Sequence, residues 1–256
     1  MRGLVDANPV MGTERNKEYS RERVLAAAEL RTIWNALEDD HYGAIVKLLA
    51  LTAQRAGEIG GLCWSEIGDK AITLSGERTK NKRAHVIPLS ETARAIIAKQ
   101  PHRADRDLIF GIGDGPFAGW SGCKAKLDAR IKKATGKALP HWTPHDLRRT
   151  AATQMAGLGV QPHIIEAVLN HVGGHKGGVA GIYNRSTYEP EKRTALDLWA
   201  NHLAAIVAGR TSNVTTPKKG VTGDEKCRPG TGPRIAARHG GPQGEERISG
   251  RTANAN

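Results

Sequence analysis

The chain has 256 residues, with 38 Lys and Arg against 26 Asp and Glu, a net charge of +12 with histidine neutral. That excess fits a polyanionic partner, most simply nucleic acid, and 39% hydrophobic residues suffice to fill a core. A membrane span needs roughly 20 apolar residues; the longest apolar stretch, Ala44 to Leu51, is short and broken by Lys47, and no apolar block follows Met1-Arg2 that would read as a secretory signal. Cys63, Cys123 and Cys227 are too few and too scattered for a disulfide framework or a zinc pair. A reducing, cytoplasmic setting is expected.

Residues 1–21, with Asn8-Pro9 and Gly12, read as a linker. A folded block is expected over 22–209. It opens on a helix carrying Leu30, Ile33, Trp34 and Leu37 at helical spacing. A second helix is predicted from Tyr42 to Ala53 and a third from Ala56 to about Cys63. The period then changes: Ala71–Ser75 and Ala84–Leu89 read as two strands, joined by the polar hairpin loop Gly76 to Arg83. Helices return at Glu91–Lys99, Ser121–Ala134, Asp146–Ala156, Pro162–Leu169 and Pro190–Ala208. The fold class is mainly α with a small antiparallel β-sheet (α+β). A basic tail, 210–256, closes the chain. Residues 211–256 hold 8 Lys/Arg, 4 acids, 8 Gly, 4 Pro and no aromatic residue, too little apolar surface to offset the entropy of ordering, so disorder is expected there.

Four places hold polar residues that the fold alone does not demand. In Thr52-Ala-Gln-Arg55-Ala-Gly-Glu58, an arginine sits in the break between two helices, where its planar fork can face an oxyanion and Glu58 can brace it. The hairpin Glu77-Arg-Thr-Lys80-Asn-Lys-Arg83 presents four basic residues on a solvent-facing tip. In Thr143-Pro-His145-Asp-Leu-Arg148-Arg149, His145 and Arg148 share one face at a helix N-terminus, a place suited to an anion. Leu169-Asn-His171 precedes a glycine-rich stretch (Gly173 to Gly181), read as a mobile connection, and then Ile182-Tyr183-Asn184-Arg185. Taken singly, each has a plainer explanation: a surface ion pair, a charged turn, a capped helix, an aromatic anchor.

Their order is more specific. Thr52-Ala-Gln-Arg-Ala-Gly-Glu58, Arg78-Thr-Lys-Asn81, His145-Asp-Leu-Arg-Arg149, Leu169-Asn-His171 and Tyr183-Asn-Arg185 together resemble the tyrosine recombinase (phage integrase) family, over about Glu22 to Val207. The resemblance implies a catalytic domain for site-specific recombination and DNA integration, of the kind carried by mobile genetic elements. Arg55 and Arg148 would clamp the scissile phosphate of double-stranded DNA. Lys80, preferred over Lys82, would protonate the leaving 5′ oxygen. His145 and His171 would assist by proton transfer or hydrogen bonding. Tyr183, preferred over Tyr188, would be the nucleophile, and Tyr188 a packing or exposed residue.

Chemistry is consistent with that assignment. A free phenol, with pKa about 10, lies roughly 4 kcal/mol from phenolate at pH 7, and nearby cations with a histidine acceptor reduce the gap. The bond energy is kept in a 3′-phosphotyrosyl ester, so no cofactor, ATP or metal is called for. The chain has no phosphate-binding G-x-x-x-x-G-K-[ST] loop, and the glycines of Phe110–Gly115 miss the G-x-G-x-x-G spacing.

Leu196, Trp199, Leu203 and Ile206 make an apolar stripe on the final helix. It would either close the domain's own core or, as the resemblance implies, dock on a neighbouring subunit in a DNA-bound tetramer. Family members carry an N-terminal helical DNA-binding domain; Gly3–Pro9 reads as its last residues, the rest being absent. Two alternatives follow. One is a truncated, catalytically inactive DNA-binding integrase remnant. The other is a metal-dependent phosphodiesterase using His141, His145, Asp146 and His171. The expected location is cytoplasmic and nucleoid-associated.

Overall fold

The structure, a computed structural model, describes residues 22–171 and 187–210. The expected linker 1–21, the glycine-rich stretch with Tyr183, and the tail from 211 lie outside the described residues. Among the described residues there are eight helices and two strands: α1 (Ala27–Asn35), α2 (His41–Thr52), α3 (Ala56–Gly60), β1 (Ala71–Leu74), β2 (His85–Pro88), α4 (Glu91–Ala98), α5 (Trp120–Thr135), α6 (Pro144–Gly157), α7 (Pro162–Val168) and α8 (Glu189–Val207). The mainly helical class with one antiparallel pair of strands is as expected. The third helix ends three residues early, because Trp64–Glu66 forms a separate 3₁₀ turn.

Helix α2 is apolar nearly all round and is therefore the central element. Of Tyr42–Thr52 only Lys47 escapes full burial. The side chain of Asp40 starts this helix by accepting from the Gly43 amide at 2.7 Å. Around α2 pack α3, α4, α6 and α8, while α8 also contacts α1, α7 and β2. The strands pair Ile72 with Ile87 and Leu74 with His85. These four share the buried face, whereas Thr73 on the other face is exposed. Before α1 the incoming chain is tied to α6, where the Thr150 hydroxyl accepts from the Leu25 amide at 2.9 Å.

The stripe on α8 answers the question that the sequence left open. Leu196, Trp199, Leu203 and Ile206 are all buried within the chain itself. Trp199 Nε1 donates to the Ala50 carbonyl of α2 at 2.7 Å, and Arg31 of α1 donates to the Ile206 carbonyl at 2.8 Å. The stripe thus closes this chain's own core. That is the first of the two uses expected of it.

The Ala50 carbonyl is buried and lies in the last turn of α2, where helical partners run out. Replacing Trp199 with Phe keeps most of the ring but removes the donor. The Trp199→Phe chain is expected to lose about 1–3 kcal/mol of stability, read as a lowered urea midpoint with an unchanged m-value.

Candidate active site

Two helices, α2 and α7, end close together, and both end on a residue in the left-handed region. Ala53 has φ 57 and Asn170 has φ 46. Asparagine tolerates that conformation; for alanine it costs roughly 1–2 kcal/mol. At the end of α7 the amide of His171 bonds the Glu166 carbonyl at 2.9 Å and that of Asn170 the Ala167 carbonyl at 3.3 Å. This is the paired bonding of a Schellman turn, and it fixes where His171 leaves the helix.

Helix ends leave carbonyls without helical partners, and here side chains from elsewhere take them. Gln54 Nε2 donates to Thr52 O at 2.7 Å and to Val168 O at 2.9 Å. Arg148 Nη1 donates to Ala53 O at 2.8 Å, and its Nη2 to Leu169 O at 2.6 Å. Asn81 Nδ2 donates to Asn170 O at 2.8 Å. One amide and one guanidinium therefore staple the two helix ends, and a second amide ties the hairpin to the same place. A cation suits the partial negative charge of two helix C-termini.

The predicted residues are distributed around this knot. Arg55 follows Gln54 directly and caps α3. Its Nη1 donates to Glu58 Oε1 at 2.8 Å, and its amide to Glu58 Oε2 at 3.0 Å, so Glu58 braces it as expected. Arg148 is buried. Burial, and then the nearby Arg55 charge, lower its pKa to about 10 against the opposing pull of Glu58. His145 is exposed in the first turn of α6. Its pKa lies below the ordinary imidazole value, first through loss of solvent and then through Arg149, Arg148 and Arg55. Lys80 is exposed at the hairpin tip, and His171 is exposed just past α7. Arg55, Arg148 and His145 thus form one electrostatic cluster, while Lys80 and His171 are joined through their neighbours Asn81 and Asn170. Tyr183 lies outside the described residues.

The hairpin differs from its expected form at one residue. Arg78 does not point to solvent from the tip. Its Nε donates to Glu66 Oε1 at 2.7 Å, and its Nη2 to the Gly61 carbonyl. It pins the base of the hairpin to the segment after α3. Thr79 is buried, with its hydroxyl donating to Arg83 O at 2.7 Å. The turn is tight: a Cβ on Gly76 would sit 2.7 Å from the Lys82 carbonyl oxygen. Tyr188 starts α8 with its ring centroid 5.3 Å from that of His163, the packing use expected of it.

Gln54 and His85 were not singled out in the sequence. His85 Nε2 lies 3.2 Å from Gln54 Oε1 and 3.1 Å from Val168 O. Both oxygens accept, so the ring carries its proton on Nε2. The signal for His85 was the alternation of β2, which sets it on the same face as Ile87 and Leu89. Gln54 gave no signal beyond its place beside Arg55.

The metal alternative fares poorly. Asp146 Oδ2 accepts from the Thr143 amide at 2.8 Å and the Thr143 hydroxyl at 3.1 Å, capping α6. Among the described residues no three His, Cys, Asp or Glu side chains gather where a metal could be held. A cleft of about 1150 Å³ lies beside Tyr42, Ile96 and Phe117, and none of the predicted site residues lines it.

The family model described as the phage integrase family matches residues 23–189. Prophage integrase IntZ of Escherichia coli (strain K12) is 28% identical over 80% of this chain and 52% of its own length. Prophage integrase IntA of the same strain is 32% identical over 62% of this chain and 38% of its own. The chain spans about half, or less, of the length of these curated relatives. Among solved structures, the integrase from mycobacterium phage Brujita shares the fold with a TM-score of 0.53 at 17% identity, covering 77% of this chain and 67% of that one.

His85 sets an acid limit on the fold. Burial, and next the charge of Lys192, lower its pKa to about 3. The unfolded chain takes up that proton near pH 6.5, the folded chain only near 3. The unfolded state therefore binds more protons between these values, and stability falls as pH falls through them. By pH 4.5 the loss from this residue is about 2–3 kcal/mol. Urea unfolding at pH 7 and 4.5 is expected to show a smaller acid loss in His85→Gln, by that amount. Groups common to both chains cancel in the comparison, His41 and His202 among them, whose pKa values also lie low through burial.

Proposed function

The chain belongs to the phage integrase family, and we propose that it breaks and rejoins double-stranded DNA as the catalytic domain of a site-specific tyrosine recombinase. The observation that carries this reading is the stapling of two helix ends by Arg148 and Gln54, with Arg55, Lys80 and His171 each beside a residue of that knot.

In the proposed reaction Arg55 and Arg148 hold the non-bridging oxygens of the scissile phosphodiester. Only one carboxylate, Glu58, stands against these two guanidiniums within the pair's own hydrogen bonds. An incoming phosphodiester supplies the missing negative charge, and more of it as attack proceeds. Tyr183 supplies the phenolic oxygen that forms the new bond to phosphorus, while the bond from phosphorus to the 5′ oxygen breaks. The Lys80 ammonium gives that oxygen its proton. His145, with its pKa held low by its surroundings, is neutral near pH 7 and accepts the phenolic proton or a hydrogen bond. His171 assists by proton transfer or by donating a hydrogen bond to a phosphate oxygen. The 3′-phosphotyrosyl ester is then attacked by a 5′ hydroxyl of a second strand, which restores the phenol.

Strand exchange needs two duplexes, so the reading includes self-association on DNA and residence with the nucleoid. The final helix is the proposed contact between subunits, through residues outside its buried stripe. The net charge of +12 favours the DNA partner through counterion release.

A capture experiment supplies the test. The chain is incubated with sheared genomic DNA from its source, the mixture is denatured, and protein-linked fragments are sequenced. A nicked suicide duplex is then built on the recovered site. The wild-type chain is expected to form a covalent adduct without ATP and in the presence of chelator, and Tyr183→Phe none. Arg148→Lys, which cannot bridge two carbonyls and a phosphate, is expected to slow adduct formation about 100-fold or more. A salt-sensitive gel shift with no adduct under any condition would leave only a DNA-binding remnant.

A further inference from the structure

The hairpin that carries Lys80 has a second attachment, separate from the Arg78 anchor at its base. Asn81 Nδ2 lies 2.8 Å from the Asn170 backbone oxygen and 3.0 Å from Asn170 Oδ1, while Asn170 Nδ2 donates to Asn81 Oδ1 at 3.2 Å. The orientation of the Asn81 amide follows from its partners: a backbone carbonyl only accepts, and the Arg83 amide, 3.3 Å from Asn81 Oδ1, only donates. Both asparagines sit where the backbone is unusual. Asn170 is left-handed, and so is Lys82, with φ 57, on the other side of Asn81. The pair spans 89 positions of sequence.

We propose that Asn81 and Asn170 form a latch that sets the hairpin tip against the end of α7, and so positions Lys80 over the leaving 5′ oxygen in register with His171. This rests on the strand-cleavage reading above. Neither asparagine touches the phosphate in this scheme; both are positioning residues. The placement is direct. Lys80 precedes Asn81 by one residue, and His171 follows Asn170 by one. The stem is held by Arg78 and Thr79, and in it Gly76 and Lys82 approach too closely for a side chain to intervene. Releasing the latch leaves that stem intact and frees the tip alone. Freeing a proton donor by about 1 Å costs much of its effect, which for general acids is roughly 10²–10⁴-fold.

The leaving group provides the readout. In an ordinary substrate the departing oxygen needs a proton, since an alkoxide is far too basic to leave without one. In a 5′-bridging phosphorothiolate, sulfur departs as thiolate, whose conjugate acid has a pKa of about 8.5, and needs none. The full chain and its Asn81→Ala and Asn170→Gly variants are therefore compared on both suicide duplexes, built on the captured site. Glycine keeps the left-handed turn at 170 and removes only the side chain. Asn81→Ala, which removes every bond of the latch, is expected to cleave the oxygen substrate about tenfold slower or more, and Asn170→Gly, which keeps the backbone acceptor of Asn81 Nδ2, to be slowed less. Both are expected to cleave the sulfur substrate within about twofold of wild type and to keep the wild-type melting temperature within a few degrees. Equal slowing on both substrates would assign the pair to general structure and overturn the latch. Wild-type rates on both substrates would overturn it too, with the cleavage reading untouched. No adduct from the wild-type chain on either substrate would remove the cleavage reading and the latch together.

Discussion

A buried guanidinium shared between two helix ends is the interaction on which the rest depends. Carbonyls at the ends of α2 and α7 converge on Arg148, and the buried one at Ala53, left unpaired, would cost about 1–3 kcal/mol. Water cannot serve them at Ala53, which is fully buried. Arg148 serves both with one planar group, through Nη1 to Ala53 O and Nη2 to Leu169 O. A lysine has one nitrogen and no fork, so it could not repeat this. The charge on Arg148 meets the negative ends of both helices, which offsets part of the cost of burying it. Gln54, with His85 behind it, makes the parallel bridge from Thr52 O to Val168 O. The fold needs this knot for its own stability, and the proposed site is built from the residues next to it.

That arrangement is how the proposed site would draw on residues far apart in the chain without a deep cavity. Arg55 emerges beside Gln54, Lys80 beside Asn81 and His171 beside Asn170. In the proposed site positioning is thereby delegated to neighbours with backbone partners, while Lys80 and His171 stay exposed and Arg55 is held by Glu58. The electrostatics follow from the same crowding. Burial and then the Arg55 charge disfavour the charge on Arg148, and both arginines push His145 toward its neutral form. A site with surplus positive charge fixed before any ligand arrives is preorganised for an anion and spends little on rearrangement when one enters.

Much of this was legible in the residues. Alternation in Ala71–Ser75 and Ala84–Leu89 marked the two strands and the side of the sheet to which His85 belongs. The apolar residues of Tyr42–Ala53 marked a helix, but not that it is the central one. The break at Gln54-Arg55 and the pairing with Glu58 stood out because charged groups interrupt an apolar run. Other features were silent for physical reasons. Ala53 ends a helix in a left-handed turn, yet alanine is a strong helix former and announces no such turn; only the partners of its carbonyl make the turn tolerable. Arg78 and Lys80 are both basic residues in a polar hairpin, and sequence could not show that one turns inward to Glu66 while the other stays exposed. The stripe on α8 fits a core or an interface equally well until Trp199 is seen bonded to Ala50.

The most direct measurement is a crystal structure of the Tyr183→Phe chain bound to a nicked duplex carrying its captured site. The account predicts the scissile phosphate with its non-bridging oxygens about 3 Å from the guanidiniums of Arg55 and Arg148, while Arg148 still holds the carbonyls of Ala53 and Leu169. A phosphate seated away from both arginines, or an Arg148 that abandons the two helix ends to reach it, would contradict the account.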